Sequence, residues 1–344
     1  MSSFACYGAI NTKLHARRRA LLDTSDWNKM MDFKSVKEVI EFLKKKHGYK
    51  EIIPAANTEE MHRGELEVAL NQYVVYEIEK ILYYFSGPYK EFFKILLMKY
   101  EIDNLQLILR TIARGEEVVE VKEHFVYSAK YGVVSYDKLL ASRSVIQFVE
   151  NLKGTPYYEV LKTTTQEDLT TREFDMEMKL NILFYRLLIE KAKQLNEEDK
   201  KIAEDMIGTE IDYLNVQWIY RATKYFDISR EEILIYSIPG GRKISFARLK
   251  GLIYTKTLEE FEKLAEKYLG YALFQQSDDI SLEKAIDKRI YQLIKNLKDD
   301  ENITMPLAYI YRMEIEVKEL IAVTEGIRYE LTKEEIKKFL VYTP

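Results

Sequence analysis

NLQLILR at residues 104–110 and NVQWIYR at residues 215–221 are one seven-residue phrase written twice, 111 residues apart. Asn, Gln, Ile and Arg coincide, and the three remaining positions are apolar in both. A degenerate third copy, ELIAVTE at residues 319–325, carries Glu325 where the others carry Arg110 and Arg221. Internal repetition decides the architecture before any local propensity does, because each copy must fold in the same way and pack on its neighbours.

Working outward, a longer phrase precedes each copy. ELEVALNQYVVYEIEKI lies near Glu67, MEMKLNILFYRLLIEKA near Glu177 and LEKAIDKRIYQLIKNL near Glu283, which is 37, 38 and 36 residues upstream. In the first, Leu70, Tyr73, Val74, Ile78, Ile81, Leu82 and Phe85 follow the i, i+3, i+4, i+7 spacing of an amphipathic helix. Ser86-Gly87-Pro88 should end it, since Pro lacks the amide hydrogen and Gly pays the largest entropy cost in a helix. A short charged helix with a shared aromatic recurs as well. It is VKEVIEFLKKKHGY at 36–49, SVIQFVENLKGTPY at 144–157 and TLEEFEKLAEKYLGY at 257–271, sharing Phe42, Phe148 and Phe261. KYFDISREEI at 224–233 and RYELTKEEI at 328–336 match each other too. Ser229 with Glu232, and Thr332 with Glu335, read as capping boxes that start a helix at the same place in both copies. After the first unit, VVEVKEHFVYSAKYGVV reads as a short extended stretch. Ordered elements at constant spacing divide the chain into three helical units, 1–131, 132–242 and 243–344. No low-complexity linker lies between them, so they are expected to pack on one another.

Composition agrees. The 344 residues hold 13 glycines and 6 prolines, against about 24 and about 17 at average usage. Few breakers means few tight turns, so the fold is expected to be all-α, not β-rich. Hydrophobic residues make up 47%, enough for a sizeable core. The formal net charge of −4 argues against sequence-independent nucleic-acid binding, which needs a basic footprint. One cysteine, Cys6, excludes an internal disulfide and a multi-cysteine zinc site. In the opening MSSFACYGAINTKLHARRR the charges follow the apolar stretch, unlike a secretory signal, and no run of 18 apolar residues occurs. A membrane is therefore expected to be met only through a partner.

Several moderate matches in the same order carry a family resemblance over essentially the whole chain. They are ARRRALLDTSDWNKMMDFKSVKEVIEFL at the start, YEIDNLQLILRTIARG, and EIDYLNVQWIYRATKYF. The chain resembles the C subunits of V/A-type rotary ATPases, the counterparts of the d subunits in vacuolar enzymes. The resemblance implies three structurally similar helical repeats with pseudo-threefold symmetry forming a funnel. It implies a non-catalytic socket on the cytoplasmic face of the membrane, joining the central stalk to the rotor ring and transmitting torque. Its partners would be the central-stalk subunits and the membrane rotor ring, with no nucleic acid, metal, nucleotide or other cofactor.

The sequence also offers chemistry to weigh against this. His15, His47, His62 and His124 include no pair at metal-ligand helical spacing. Asp278-Asp279 and Asp299-Asp300-Glu301 are similar to aspartate-rich magnesium sites, but Leu282 and Ile303 stand where the pattern needs an acid. Pro239-Gly240-Gly241-Arg242-Lys243 is either a boundary turn or an anion cradle. No phosphate-loop or nucleophile-elbow pattern occurs. The 26 tyrosines suit either the rims of helical cores or a wet interface. The basic run at 16–19 is a solvated face or a contact to headgroups or an acidic partner. Arg110 and Arg221 either tie adjacent helices through carboxylates or face the stalk; with Asn104 and Asn215 they are the interface candidates. A helical-repeat adaptor of another assembly and an all-α magnesium-dependent enzyme are the rival readings.

Overall fold

The structure, a computed structural model, describes residues 3–46, 48–50, 52–53, 63–226, 228–274, 279–296 and 302–341. The described residues contain helices, turns and loops and no strand, as the scarcity of glycine and proline predicts. In chain order the helices are α1 (Ser3–Arg18), α2 (Thr24–Met30), α3 (Val36–Lys44), α4 (Arg63–Leu82), α5 (Gly87–Arg114), α6 (Tyr136–Leu140), α7 (Val145–Asn151), α8 (Pro156–Leu161), α9 (Gln166–Thr171), α10 (Glu173–Ala192), α11 (Glu197–Tyr225), α12 (Arg230–Ile235), α13 (Phe246–Ile253), α14 (Leu258–Leu269), α15 (Asp279–Asn296), α16 (Thr304–Arg328) and α17 (Lys333–Lys337).

Two compact bodies result, and they do not follow chain order. Met1–Phe85 folds together with Gln276–Pro344, and Ser86–Gln275 forms the other body. In the first, α16 packs on α1, α3, α4, α15 and α17. In the second, α10 packs on α5, α8, α9 and α11, and α11 also packs on α13 and α14.

The three repeated phrases fall on α5, α11 and α16. These long helices carry many buried apolar residues, such as Phe92, Phe93, Leu105 and Ile108 on α5 and Ile315, Val317, Leu320 and Val323 on α16. The upstream phrases fall on α4, α10 and α15. On α4 and its exit every residue of the predicted stripe, Leu70 through Phe85, is buried. Gly87 begins α5 at φ 54, a left-handed conformation that only glycine adopts cheaply, so one helix ends and the next begins at Ser86-Gly87-Pro88.

The short aromatic helices are α3, α7 and α14, and all three start alike. The hydroxyls of Ser35, Ser144 and Thr257 accept from the amides of Glu38, Gln147 and Glu260. The latter side chains in turn accept from the amides of Lys34, Arg143 and Lys256, each at 2.9 Å. Two of the amides at each helix start are thereby satisfied. Phe148 and Phe261 are buried and Phe42 is half-buried. The boxes at Ser229/Glu232 and Thr332/Glu335 open α12 and α17 as read from the sequence. One local expectation is corrected. The stretch after α5 is not extended throughout: Val118–His124 forms a 3-10 helix, and Phe125 after it is extended. Val118 is buried within that turn.

Candidate functional site

The matched positions on α5, α11 and α16 carry matched polar work. Asn104 Nδ2 donates to the Val126 carbonyl at 2.8 Å while its Oδ1 accepts from the Val126 amide at 3.2 Å. Asn215 does the same to Ile238, at 2.8 Å in both directions. A carboxamide presents one donor and one acceptor side by side, the complement of a single peptide group. It can therefore fasten a returning chain to a helix without a strand partner. Both asparagines are almost wholly buried, 3% and 2% exposed, so neither amide is offered to solvent. In the third copy Glu319 accepts from the Val341 amide, at the corresponding separation of 22 residues. A carboxylate can make the accepting half of that contact only.

One helical turn before each of these residues stands a buried acid. Glu101 accepts from the Val133 amide at 2.8 Å and from the Tyr157 hydroxyl at 2.7 Å. Asp212 accepts from the amides of Lys243 at 2.7 Å and Ile244 at 2.9 Å. Glu316 accepts from the Leu22 amide at 2.9 Å and the Tyr49 hydroxyl at 2.6 Å. Each acid thus fastens a segment remote in the chain: Glu101 holds Val133 and Tyr157, Asp212 holds Lys243 and Ile244, and Glu316 holds Leu22 and Tyr49. Burial pushes all three carboxyls up, against the hydrogen bonds that favour ionisation. The effect carries Glu316 to about 7; the neighbouring Asp26 raises it further and Arg312 opposes. These acids were missed in the sequence, although E-x-x-N at 101–104 and D-x-x-N at 212–215 were in view. An acid one turn from a repeated asparagine was the available signal.

A further cluster gathers on Glu77, 2% exposed on α4. Arg17 Nη1 lies 2.5 Å away, Lys80 Nζ 2.8 Å, and the Tyr309 hydroxyl donates at 2.7 Å. It joins α1, α4 and α16 in the first body. Tyrosines elsewhere follow the same pattern: Tyr89 donates to Asp199, Tyr185 to Glu210 and Tyr236 to Asp175. The Tyr185 ring is buried and those of Tyr89 and Tyr236 half-buried, and each hydroxyl satisfies a carboxylate.

Of the sequence-derived candidates, Arg110 on α5 forms an ion pair with Glu177 on α10. Arg221 is half-buried on α11. The Pro239-Gly240-Gly241 turn gives its following amides to Asp212, its Arg242 side chain to Asp205 and its Lys243 ammonium to the Leu269 carbonyl. An anion would have to displace all of these. The Arg242 amide donates to the Gly208 carbonyl at 3.1 Å, and a Cβ at Gly208 would stand 3.0 Å from the Gly240 carbonyl oxygen, which explains a glycine inside α11. His15 and His124 are exposed. His47, His62, Asp278 and the acids at 299–301 lie outside the described residues, as do the side chains of Cys6 and Asp279. Among the described residues no group of three His, Cys, Asp or Glu could hold a metal, and no helix is long and apolar enough to cross a membrane.

Residues 10–339 match the ATP synthase (C/AC39) subunit family. Among curated relatives, the A-type ATP synthase C subunit of Methanocaldococcus jannaschii is 24% identical, covering 98% of this chain and 86% of the relative. The proteins of that name from Thermococcus onnurineus and Methanococcoides burtonii are 22% and 24% identical, each over 97% of this chain and 90% and 94% of their own lengths. The chain belongs to the ATP synthase (C/AC39) subunit family.

Proposed function

We propose that this chain is the structural, non-catalytic subunit of a rotary ATP synthase that joins the central stalk to the membrane rotor ring and carries torque between them. The observation that supports the reading is the threefold recurrence of the acid clasp. Glu101 and Asp212 fasten each unit to the next, and Glu316 fastens the third to the first. Buried clasps between segments remote in the chain suit a coupling piece that must resist shear, because packed interiors are poorly compressible. The units are the 1–131, 132–242 and 243–344 segments of the sequence. The chain would sit peripherally on the cytoplasmic side, reaching the membrane through the ring.

Within this reading the buried Asn104 and Asn215 hold the units in shape, and Arg110 and Arg221 stand nearer the surface, with Arg221 the candidate for stalk contact. The test is binding of the purified chain to a stalk heterodimer and to an isolated rotor ring. A ternary complex should form, and Arg221→Glu should weaken stalk attachment at least tenfold with unchanged circular dichroism. Failure to bind either partner would refute the reading; unchanged stalk affinity would remove Arg221 from the contact.

A further inference from the structure

Residues 224–256 combine exposed apolar side chains with an excess of positive charge. The stretch contains Lys224, Arg230, Arg242, Lys243, Arg248, Lys250 and Lys256 against Asp227, Glu231 and Glu232, a surplus of four cations in a chain whose net charge is −4, although Arg242 is paired with Asp205 and Lys243 with the Leu269 carbonyl. Its two helices, α12 and α13, pack on each other. The Tyr254 hydroxyl donates to Glu231 at 2.6 Å and Arg230 Nη2 donates to the Thr255 carbonyl at 3.1 Å, pinning the start of α12 to the end of α13. Ile233, Leu249, Leu252 and Ile253 are buried beneath. On the outer face Ile235 and Phe246 are each 69% exposed, and Tyr254 joins them. Phe246, Lys250 and Tyr254 are successive residues of one helical stripe, as are Glu231 and Ile235.

The cations of this face are arranged on aromatic rings. The Arg230 guanidinium lies 5.5 Å from the Tyr254 ring centroid and Lys250 Nζ lies 5.9 Å from it. Stacking pre-orders both side chains, so a partner carboxylate would find them already placed. Arg, Tyr and large apolar anchors at the centre of a patch are the composition of interface hot spots.

We propose that the α12–α13 face seats an amphipathic helix with an acidic flank, supplied by another subunit of the complex to which this family belongs. The apolar side of that helix would cover Ile235 and Phe246, and its carboxylates would meet Arg230 and Lys250. A helix fits better than an anionic lipid surface because Glu231 shares a helical stripe with Ile235 and accepts from the Tyr254 hydroxyl. A sheet of headgroups would press its phosphates on that carboxylate, whereas a helix can place a neutral residue there.

The experiment is photo-crosslinking in the assembled complex with Phe246→p-benzoylphenylalanine, the adduct being mapped by mass spectrometry. The expected adduct lies in an acid-bearing helical segment of another subunit, and Arg230→Glu with Lys250→Glu lowers its yield at least tenfold. Adducts to lipid, to a second copy of this chain or to a segment without acids would overturn the proposal, as would no adduct or a yield indifferent to charge reversal. The proposal rests on membership of the complex and not on the stalk-to-ring reading, which the separate binding test decides.

Discussion

Glu316 is the residue whose chemistry is most exposed to measurement. It is fully buried, and its carboxyl is pushed up to about 7 by that burial. The folded state therefore holds the proton more tightly than the unfolded chain does, so this group makes stability fall as pH rises from about 4.5 to about 7, with no further slope above. Glu316→Gln keeps an acceptor for the Leu22 amide and removes the ionisation. Its stability relative to the wild type should rise by about 2 kcal/mol between pH 5 and pH 8 in urea titrations; a difference independent of pH would show that the carboxyl is not held above its ordinary range. Asn215 makes a different prediction. Asn215→Ala leaves the amide and carbonyl of Ile238 without their side-chain partner and should cost about 2–3 kcal/mol, while Asn215→Asp, which can only accept when ionised, should fall in the same range. A loss under about 0.5 kcal/mol would mean the contact is dispensable. The repeated asparagines were visible in the sequence as conspicuous letters, but their work was not. Spacing cannot tell an amide that reads its own backbone from one that reads a partner, because both choices leave the same residue at the same helical position.

At the scale of elements, the helix starts carry the clearest local signals. Removing the hydroxyl at Ser35, Ser144 or Thr257 by Ala should cost about 1 kcal/mol each, near-equal across the three sites because the cap is the same at each. Unequal losses spread over more than about 1 kcal/mol would argue against equivalent elements. Gly208 sets the approach of the 239–242 turn to α11, so Gly208→Val should destabilise markedly, by about 2 kcal/mol or more, while Gly251→Ala, with only the Tyr268 hydroxyl at 3.5 Å, should change little. The amphipathic stripe of α4, the break at Ser86-Gly87-Pro88 and the boxes at Ser229 and Thr332 were legible because propensity, periodicity and tertiary packing agree there. The 3-10 turn at Val118–His124 was not, since its alternating Val and Glu read equally as an extended strand. The Tyr157–Glu101 and Tyr49–Glu316 pairs lie 56 and 267 residues apart and leave no short-range trace.

At the scale of the molecule, the division into bodies cuts across the chain. Ser86–Gln275 is continuous and carries its own core, so it should fold when expressed alone, with cooperative thermal loss of its helical circular dichroism. The first body needs both ends of the polypeptide, because α16 supplies the surface on which α1, α3 and α4 pack; residues 1–85 alone should show no cooperative transition. The sequence reading expected three like units and did not foresee this grouping, as repetition reports which segments are alike and not which of them are neighbours. The stalk-to-ring assignment asks more than stability of the molecule, and it is tested most directly by function in a reconstituted complex. ATP-driven ion uptake into vesicles should be lost when this chain is omitted and restored when it is added back, while ATP hydrolysis by the catalytic head persists throughout. Ion uptake that is equal with and without the chain would contradict the assignment outright.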